Sequence, residues 1–392
     1  MRSPIERGND DIMRIGETEI SLRPPSRRNF LKGMAAAGAS ALLPGGEFSA
    51  QAPVPNPRVL NCHCHFTSPA YIKAMRAKEG HHVAGYTTWS VLSTWDNYSP
   101  AKAVADMDKN GIAASTISLV NPGSWFGDPE ETRKLVRELN EFGAKMVSDY
   151  PGRFGLMAVL PLPTIEDCLH EIEYAFDTLK ADGVGLLSSY GNHWLGDPAF
   201  QPVFDELNRR KVVAYVHAID APCCQDLMPG IGPATLEYNT DTARTIYSLL
   251  DKNPPFNDKA TRYKDIRFIF SHAGGTMPSL IQRFGGVGSG DVINENLAGT
   301  PAPNSMLYHL RRFYYDTAQS TNVVQMQGLK TIVGASQIVY GDDYPFGAED
   351  AASRHLHGLK HCGFSEPELQ GIYRENAFNL FPRFKNYPQF KA

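Results

Sequence analysis

Short apolar runs alternate with amphipathic stretches along most of the chain. The apolar runs are rich in β-branched and aromatic residues, which favours strands, whereas the stretches between them repeat apolar positions at helical spacing. Eight apolar runs occur, at residues 59–66, 114–120, 154–160, 183–188, 212–217, 266–272, 313–316 and 338–341. A stretch of helical character follows each of them.

This alternation predicts a (β/α)₈ TIM barrel in a single domain. Long connections at 66–98, 218–239 and 285–304 are predicted insertions in the βα loops, and extra helices from 349 to 380 end the chain. The alternative is a doubly wound open sheet. Against it, no G-x-G-x-x-G follows the first apolar run and no Walker A sequence occurs.

The first 52 residues differ in character from the rest. Ser26-Arg27-Arg28-Asn29-Phe30-Leu31-Lys32 precedes a short, weakly hydrophobic stretch of small residues. This pattern predicts a twin-arginine export signal, with cleavage near Ala50 or Ala52; the alternative is a basic arm followed by a small helix. We therefore expect the export machinery to deliver the protein to the periplasm or beyond, and residues 53–392 to form the folded domain.

Composition narrows the classes of partner. The 392 residues carry a net charge of −4 with no basic face, which argues against nucleic acid. No stretch reaches the roughly 18 consecutive apolar residues of a membrane span.

Six cysteines could suggest disulfides in an exported protein, but Cys62 and Cys64 share a short strand and Cys223-Cys224 are adjacent. Neither spacing suits an ordinary bridge, so we expect mostly buried thiols.

Histidines and aspartates stand where predicted strands end. His63 and His65 end the first, His217 the fifth and His272 the sixth, and Asp342-Asp343 follow the eighth. The carboxyl ends of barrel strands meet at one mouth, where catalysis takes place. Three histidines and one carboxylate, with a position left open for water, suit Zn²⁺ or a similar divalent ion.

The first predicted strand also indicates in which direction its histidine and cysteine side chains point. On a regular strand alternate side chains share a face, so His63 and His65 point one way. Cys62 and Cys64 then point the other way, towards the helices, and are not expected to bind the metal.

These motifs resemble a known family. They are His63-x-His65, Gly183–Ser189 with Asp197-Pro-x-Phe200, Val216-His217, Ser271–Gly275 and Gly341–Phe346. From about Arg58 to Phe381 the chain resembles the amidohydrolase superfamily, specifically its amidohydrolase-2 branch. That branch includes aminocarboxymuconate-semialdehyde decarboxylase and the resorcylate-type decarboxylases.

The resemblance implies a division of roles. His63, His65, His217 and Asp343 would bind one divalent metal ion, zinc or else manganese, and His272 would be an unliganded catalytic histidine. The implied reaction is non-oxidative decarboxylation of a small cyclic or aromatic carboxylic acid, with Asp343 relaying the proton that replaces CO₂. The alternatives are hydrolysis of a lactone, amide or ester by metal-bound hydroxide, and an inactive periplasmic binding barrel. Relatives are often homodimers.

Two positions depart from the family pattern. Asn61 stands where many relatives have an aspartate that supports the histidines, and Asp342 replaces a small hydroxyl residue. We expect Asp342 to lie behind the metal site or to pair with an arginine.

Other residues have open roles. A substrate carboxylate needs a cation, for which the long first connection offers Lys73, Arg76 and Lys78. His81-His82 are expected at the surface or facing substrate. An aromatic pocket wall or core packing would each explain Trp89, Trp95 and Trp194.

Overall fold

The computed structural model describes residues 12–15, 18–21, 58–78, 92–120, 122–225, 227–229, 231–284, 297, 299–347 and 350–391. The chain divides into two compact units, Met1–Val54 and Pro55–Ala392. In the first, strands Ile12–Ile15 and Thr18–Ser21 form an antiparallel hairpin. The Arg27-Arg28 motif, the expected cleavage region, His81-His82 and Trp89 lie outside the described residues.

Eight parallel strands form the barrel of the second unit, and they neighbour one another in chain order. They are β1 (Val59–His65), β2 (Ile112–Ser118), β3 (Phe154–Val159), β4 (Gly183–Leu187), β5 (Val213–His217), β6 (Arg267–Phe270), β7 (Tyr314–Asp316) and β8 (Ile338–Val339). The predicted (β/α)₈ fold is confirmed. The predicted second strand begins two residues too late, because Ile112 directly follows the left-handed Gly111 that ends the preceding helix.

The barrel closes between β1 and the chain that follows β8. The Cys62 N–H donates to the Tyr340 carbonyl (2.8 Å), and the Asp343 N–H donates to the His63 carbonyl (3.0 Å). Further along, the His65 N–H donates to the Tyr344 carbonyl (2.8 Å). These bonds bring the end of β1 beside Asp343.

Helices fill the connections. Their bounds are α1 Pro69–Ala77, α2 Leu92–Trp95, α3 Pro100–Asn110, α4 Pro129–Asp149, α5 Ile165–Glu173, α6 Gln201–Arg209, α7 Glu237–Leu250, α8 Lys259–Arg262, α9 Met277–Phe284, α10 Met306–Leu310, α11 Val323–Val333, α12 Ala351–Lys360, α13 Glu366–Gln370 and α14 Asn376–Phe378. In the part of the chain that the structure describes, none is long and apolar enough to cross a membrane.

The larger core lies between the strands and the helices. In α4, Leu139 and Met146 are buried in the same cluster as Ile117 of β2 and Leu156 of β3. The helix approaches closely at Gly143, where a Cβ atom would lie 2.6 Å from Leu156 Cδ1. A methyl group at this position would therefore force the Leu156 side chain to shift, because the interior is closely packed.

A second core fills the barrel and is covered by the C-terminal segment. Leu60, Met157 and Ile269 are buried in one cluster with Phe384 and Phe390. The segment is also tied to the strands, because Arg383 Nη2 donates to the Phe154 carbonyl (2.9 Å) and to Asp182 Oδ2 (2.8 Å). Phe154 begins β3, so the C-terminal segment covers the amino ends of the strands and leaves their carboxyl ends open.

We expect Phe384→Ala to lower the free energy of unfolding by about 3–5 kcal/mol, because it removes a fully buried aromatic side chain and leaves a cavity. Urea unfolding followed by circular dichroism measures the change. The control is Val324→Ala, since Val324 is 82% exposed and its truncation should cost less than about 0.5 kcal/mol. An equal loss of unfolding free energy in the two variants would contradict the packing of the C-terminal segment against the barrel.

Candidate metal centre

Four side chains converge at the carboxyl end of the barrel. His63, His65, His217 and Asp343 each offer one ligand atom, and these four atoms lie within 4.8 Å of one another. All four residues are buried. The structure thus brings together the four side chains that the family resemblance implied as metal ligands.

Asp343 lies at the centre of this cluster. Its Oδ1 is 3.0 Å from His63 Nε2, 3.1 Å from His65 Nε2 and 3.9 Å from His217 Nε2. Burial raises the pKa of the Asp343 carboxyl, but His63 and His65 outweigh it and hold that pKa well below its usual range. Asp343 is therefore a carboxylate, the form that binds a cation.

A bulge in β1 decides which side chains face the centre. The pairing of β1 with β2 shifts register between Asn61 and Cys64, so that three steps along β1 match two along β2. Consequently Cys62 packs inside the barrel with Tyr215, and the next residue, His63, also points inward. The prediction that both cysteines face the helices is wrong for Cys62; Cys64 packs in the outer core, as expected.

Each ligand histidine is held from behind through Nδ1. His65 Nδ1 lies 3.3 Å from the Ser118 carbonyl, and His217 Nδ1 lies 2.7 Å from the Ala218 carbonyl. Since a carbonyl only accepts, these bonds put the proton on Nδ1 and leave the lone pair on Nε2. His217 Nε2 is buried and has no hydrogen-bond partner. A metal ion meets this requirement, because neutral imidazole nitrogen is a common metal ligand.

Asp316, at the end of β7, is the residue behind His63. Its Oδ2 is 2.8 Å from His63 Nδ1. Its Oδ1 accepts the backbone N–H groups of His272 (3.0 Å) and Ala318 (2.9 Å). One buried carboxylate thus positions a ligand and the chain beside the site. Sequence reasoning placed Asp316 at a strand end but did not assign it a role; that position was the available signal.

The charges around His63 also fit a cation. Burial lowers the pKa of His63, but the carboxylates of Asp316 and Asp343 outweigh it and raise that pKa to about 10. Two buried negative charges therefore favour a positive charge between them. A divalent cation at the four ligand atoms supplies it.

His272 lies beside the cluster. Its ring centroid is 5.0 Å from that of His63 and 5.5 Å from that of His217. Its backbone is left-handed (φ 53°), and its Nδ1 is 3.2 Å from the Ala318 carbonyl. Nε2 is buried without a hydrogen-bond partner. Burial, followed by the charge of His63, lowers the pKa of His272, so it is a neutral imidazole with a free lone pair.

A cavity of about 380 Å³ adjoins these groups. His217, His272 and Asp343 line one side, and Val120 and Phe346 supply apolar surface. Further lining residues that sequence reasoning did not single out are Tyr238, Asn239, Gln319 and Ser320. Gln319 Nε2 donates to Asp343 Oδ2 (2.6 Å), which fixes the carboxylate from the cavity side.

The sequence model of the amidohydrolase family matches residues 60–383. The chain belongs to this family. A model of the twin-arginine translocation signal matches residues 24–44, which confirms the predicted export signal.

Curated relatives agree with the family assignment, and a solved structure shares the fold. The chain of this amidohydrolase is 31% identical to the decarboxylase yanB of Aspergillus niger over 83% of its length and 88% of the relative's. It is 29% identical to the 6-methylsalicylic acid decarboxylase acuB of Aspergillus aculeatus, over 83% and 96%. A variant of 5-carboxyvanillate decarboxylase from Novosphingobium aromaticivorans, solved with bound manganese, shares the fold (TM-score 0.68, 18% identity, 83% and 97% covered).

The two departures from the family pattern form one unit in this amidohydrolase. Asn61 Oδ1 accepts the His63 N–H (3.0 Å), and Asn61 Nδ2 donates to Asp342 Oδ1 (2.7 Å). Asn61 thus satisfies the N–H group in the β1 bulge. Asp342 also accepts the Tyr344 N–H (3.1 Å), and burial raises its pKa to about 6. Asp342 lies outside the ligand cluster, as expected, but its partners are an amide and a backbone group rather than an arginine.

The candidate cations for the substrate carboxylate, Lys73, Arg76 and Lys78, do not line the described wall of the cavity. Arg76 pairs with Asp96 and Lys78 with Glu131, and Lys73 is exposed. Two aromatic candidates are structural. Trp95 is buried behind Phe346, and Trp194 Nε1 donates to Asp241 (2.7 Å).

We expect Asp316→Asn to weaken metal binding about 10- to 100-fold. If the oxygen of the new asparagine still accepts the two backbone N–H groups, the asparagine NH₂ group faces His63 Nδ1. The proton of His63 then moves to Nε2, where the lone pair is needed. Competition with a chromophoric chelator measures the affinity.

The matched control is Asp205→Asn, which makes the same change in an exposed ion pair with Arg262. It should leave metal affinity unchanged. Wild-type affinity in Asp316→Asn would contradict the positioning role of Asp316.

Proposed function

We propose that this protein catalyses metal-dependent, non-oxidative decarboxylation of a small cyclic or aromatic carboxylic acid. The observation that carries the proposal is the match, over 83% of the chain, to curated relatives named as decarboxylases. The described site supports it, because metal-ligand atoms, a free imidazole nitrogen and a cavity of small-molecule size lie together.

In this proposal His63, His65, His217 and Asp343 hold one divalent ion. Three imidazole nitrogens and one carboxylate suit zinc, which we propose as the metal; manganese, present in the structure of the carboxyvanillate enzyme, is the alternative. When bound, the ion supplies Lewis-acid polarisation of the substrate's carboxylate oxygens.

His272 orients the substrate and takes up its acidic proton. Its Nε2 atom has a lone pair and no partner within the protein, and its ring is fixed by the Ala318 carbonyl. A substrate hydroxyl group can therefore donate to Nε2. A neutral imidazole is the form that accepts a proton, and the lowered pKa of His272 maintains it.

Asp343 moves the proton that replaces CO₂. When the bond between the ring carbon and the carboxylate breaks, the electron pair stays on the ring carbon and a proton must arrive there. Asp343 Oδ2 lies on the cavity side, held by Gln319, whereas Oδ1 faces the histidines. We propose that Oδ2 takes up a proton from solvent and delivers it to the ring carbon.

Turnover of a panel of hydroxylated aromatic acids, lactones and esters tests the reaction. We expect CO₂ release in equal amount to loss of the acid, and one deuterium atom on the product ring when the reaction runs in D₂O. Ring-opened or hydrolysed products without CO₂ would instead assign the site to hydrolysis.

Two variants separate metal binding from chemistry in the same assay. His217→Ala should lose the metal and the activity together. His272→Ala should keep about one metal ion per chain and lose turnover by about 10²–10⁴-fold. Full activity of the His272 variant would overturn the role assigned to its imidazole.

We propose that residues 1–52 direct export to the periplasm and are then removed, leaving residues 53–392. The signal match at 24–44 supports this. Replacing Arg27-Arg28 by Lys-Lys should retain the uncleaved chain in the cytoplasm, because the transport machinery reads the arginine pair. Fractionation with immunoblotting measures the distribution, and unchanged delivery would refute the proposal.

A further inference from the structure

Two adjacent thiols lie in the connection that follows β5, the strand that ends in His217. Cys223 and Cys224 belong to the 3₁₀ turn Pro222–Cys224, and their Sγ atoms are 2.7 Å apart. A disulfide bond is about 2.05 Å long. The two sulfur atoms therefore lie only about 0.7 Å beyond bonding distance, although the adjacency of the residues argued against a bridge.

The backbone of the turn holds the sulfur atoms in this arrangement. The Cys224 N–H donates to the Ala221 carbonyl (2.8 Å), and the Cys223 N–H donates to Asn192 Oδ1 (3.2 Å). Gln225 Nε2 then donates to the Asp220 carbonyl across the turn (3.3 Å). Both thiols thus project from a chain segment that is hydrogen-bonded on each side.

The pair also differs from the other cysteines in accessibility. Of the six cysteines, all within the described residues, Cys223 is exposed and the other five are buried. The expectation of mostly buried thiols is confirmed, with Cys223 as the exception. An oxidant in solution can therefore reach Cys223 first, and Cys224 is the thiol nearest to it.

The route of the protein favours oxidation. The inference rests on the proposed export, which the twin-arginine signal match at residues 24–44 supports. Disulfides form and persist in compartments outside the cytoplasm. The cytosol keeps thiols reduced, so the pair is reduced before export. The same chain therefore meets reducing and then oxidising conditions.

We propose that Cys223 and Cys224 form a reversible vicinal disulfide, and that this turn is the oxidation site of the exported protein. The oxidant is another disulfide, either a small molecule or a thiol–disulfide oxidoreductase. The Cys223 thiolate attacks one sulfur of the oxidant and releases one thiol, which leaves a mixed disulfide. Cys224 then attacks the Cys223 sulfur and releases the second thiol. Two electrons and two protons pass to the oxidant, and one S–S bond forms for each one broken.

The order of attack and the reversibility follow from the site. Cys223 is exposed whereas Cys224 is buried, so Cys223 is the thiol that attacks the oxidant first. Cα atoms of adjacent residues are about 3.8 Å apart, closer than in most disulfides. The ring that a disulfide between adjacent cysteines closes is therefore strained. Strained, exposed disulfides are readily reduced.

Excess oxidised glutathione, added to the reduced, metal-loaded protein, tests the proposal. Intact mass spectrometry should show the treated wild-type protein two hydrogen atoms lighter than the reduced protein. After maleimide trapping under denaturing conditions it should carry two fewer maleimide groups. Peptide mapping should place the bond between Cys223 and Cys224. Dithiothreitol should restore both thiols.

Two variants make the result specific. Cys224→Ser keeps the exposed thiol but removes its partner, so a stable glutathione adduct should accumulate on Cys223. Cys168→Ser, a change at a buried cysteine, should behave as wild type. A lasting glutathione adduct on the wild-type protein, or two free thiols after the treatment, would overturn the proposal.

Discussion

Closure of the barrel between β1 and the chain after β8 is the constraint on which the site depends. The hydrogen bond from the Asp343 N–H to the His63 carbonyl fixes the first and last parts of the barrel against each other. That contact places the Asp343 carboxylate against two imidazoles that are 278 or more residues away in the chain. Gly341 permits it, because a Cβ atom there would lie 2.6 Å from His63 Cβ. The C-terminal segment covers the opposite end, so chemistry is confined to the carboxyl ends of the strands.

Three buried aspartates near this contact have different roles because their surroundings differ. Asp343 faces imidazoles and remains ionised. Asp316 is also held ionised, since His63 and two backbone N–H groups compensate its burial. Asp342 has an amide and one N–H group as partners, and burial raises its pKa to about 6. All three carboxyls are buried, so the depth of burial does not explain the difference between their pKa values. The type of partner does: imidazoles keep a carboxylate ionised and suited to bind a cation, whereas an amide and a backbone N–H do not.

Most of the architecture could be predicted because it follows from local pattern. Alternating apolar runs and helical stretches indicated eight strands, and the strand ends indicated His63, His65, His217, His272 and Asp343. The direction of the Cys62 side chain, into the barrel rather than towards the helices, could not be predicted in this way. A bulge shifts the alternation by one residue, and within it the Asn61 side chain accepts the His63 N–H. A single polar residue at that position of the sequence does not predict a bulge.

The sequence by itself determined the barrel, its export signal and the residue types of the metal site, because periodicity, signal motifs and strand ends are local properties of the chain. Only the tertiary structure decided which polar groups support that site. Asp316, Gln319 and Asn61 act through contacts between distant segments, and their geometry depends on closure of the barrel. The same holds for Cys223 and Cys224. Their adjacency argued against an ordinary disulfide bridge, whereas a turn tied to Asn192 brings the two sulfur atoms to 2.7 Å.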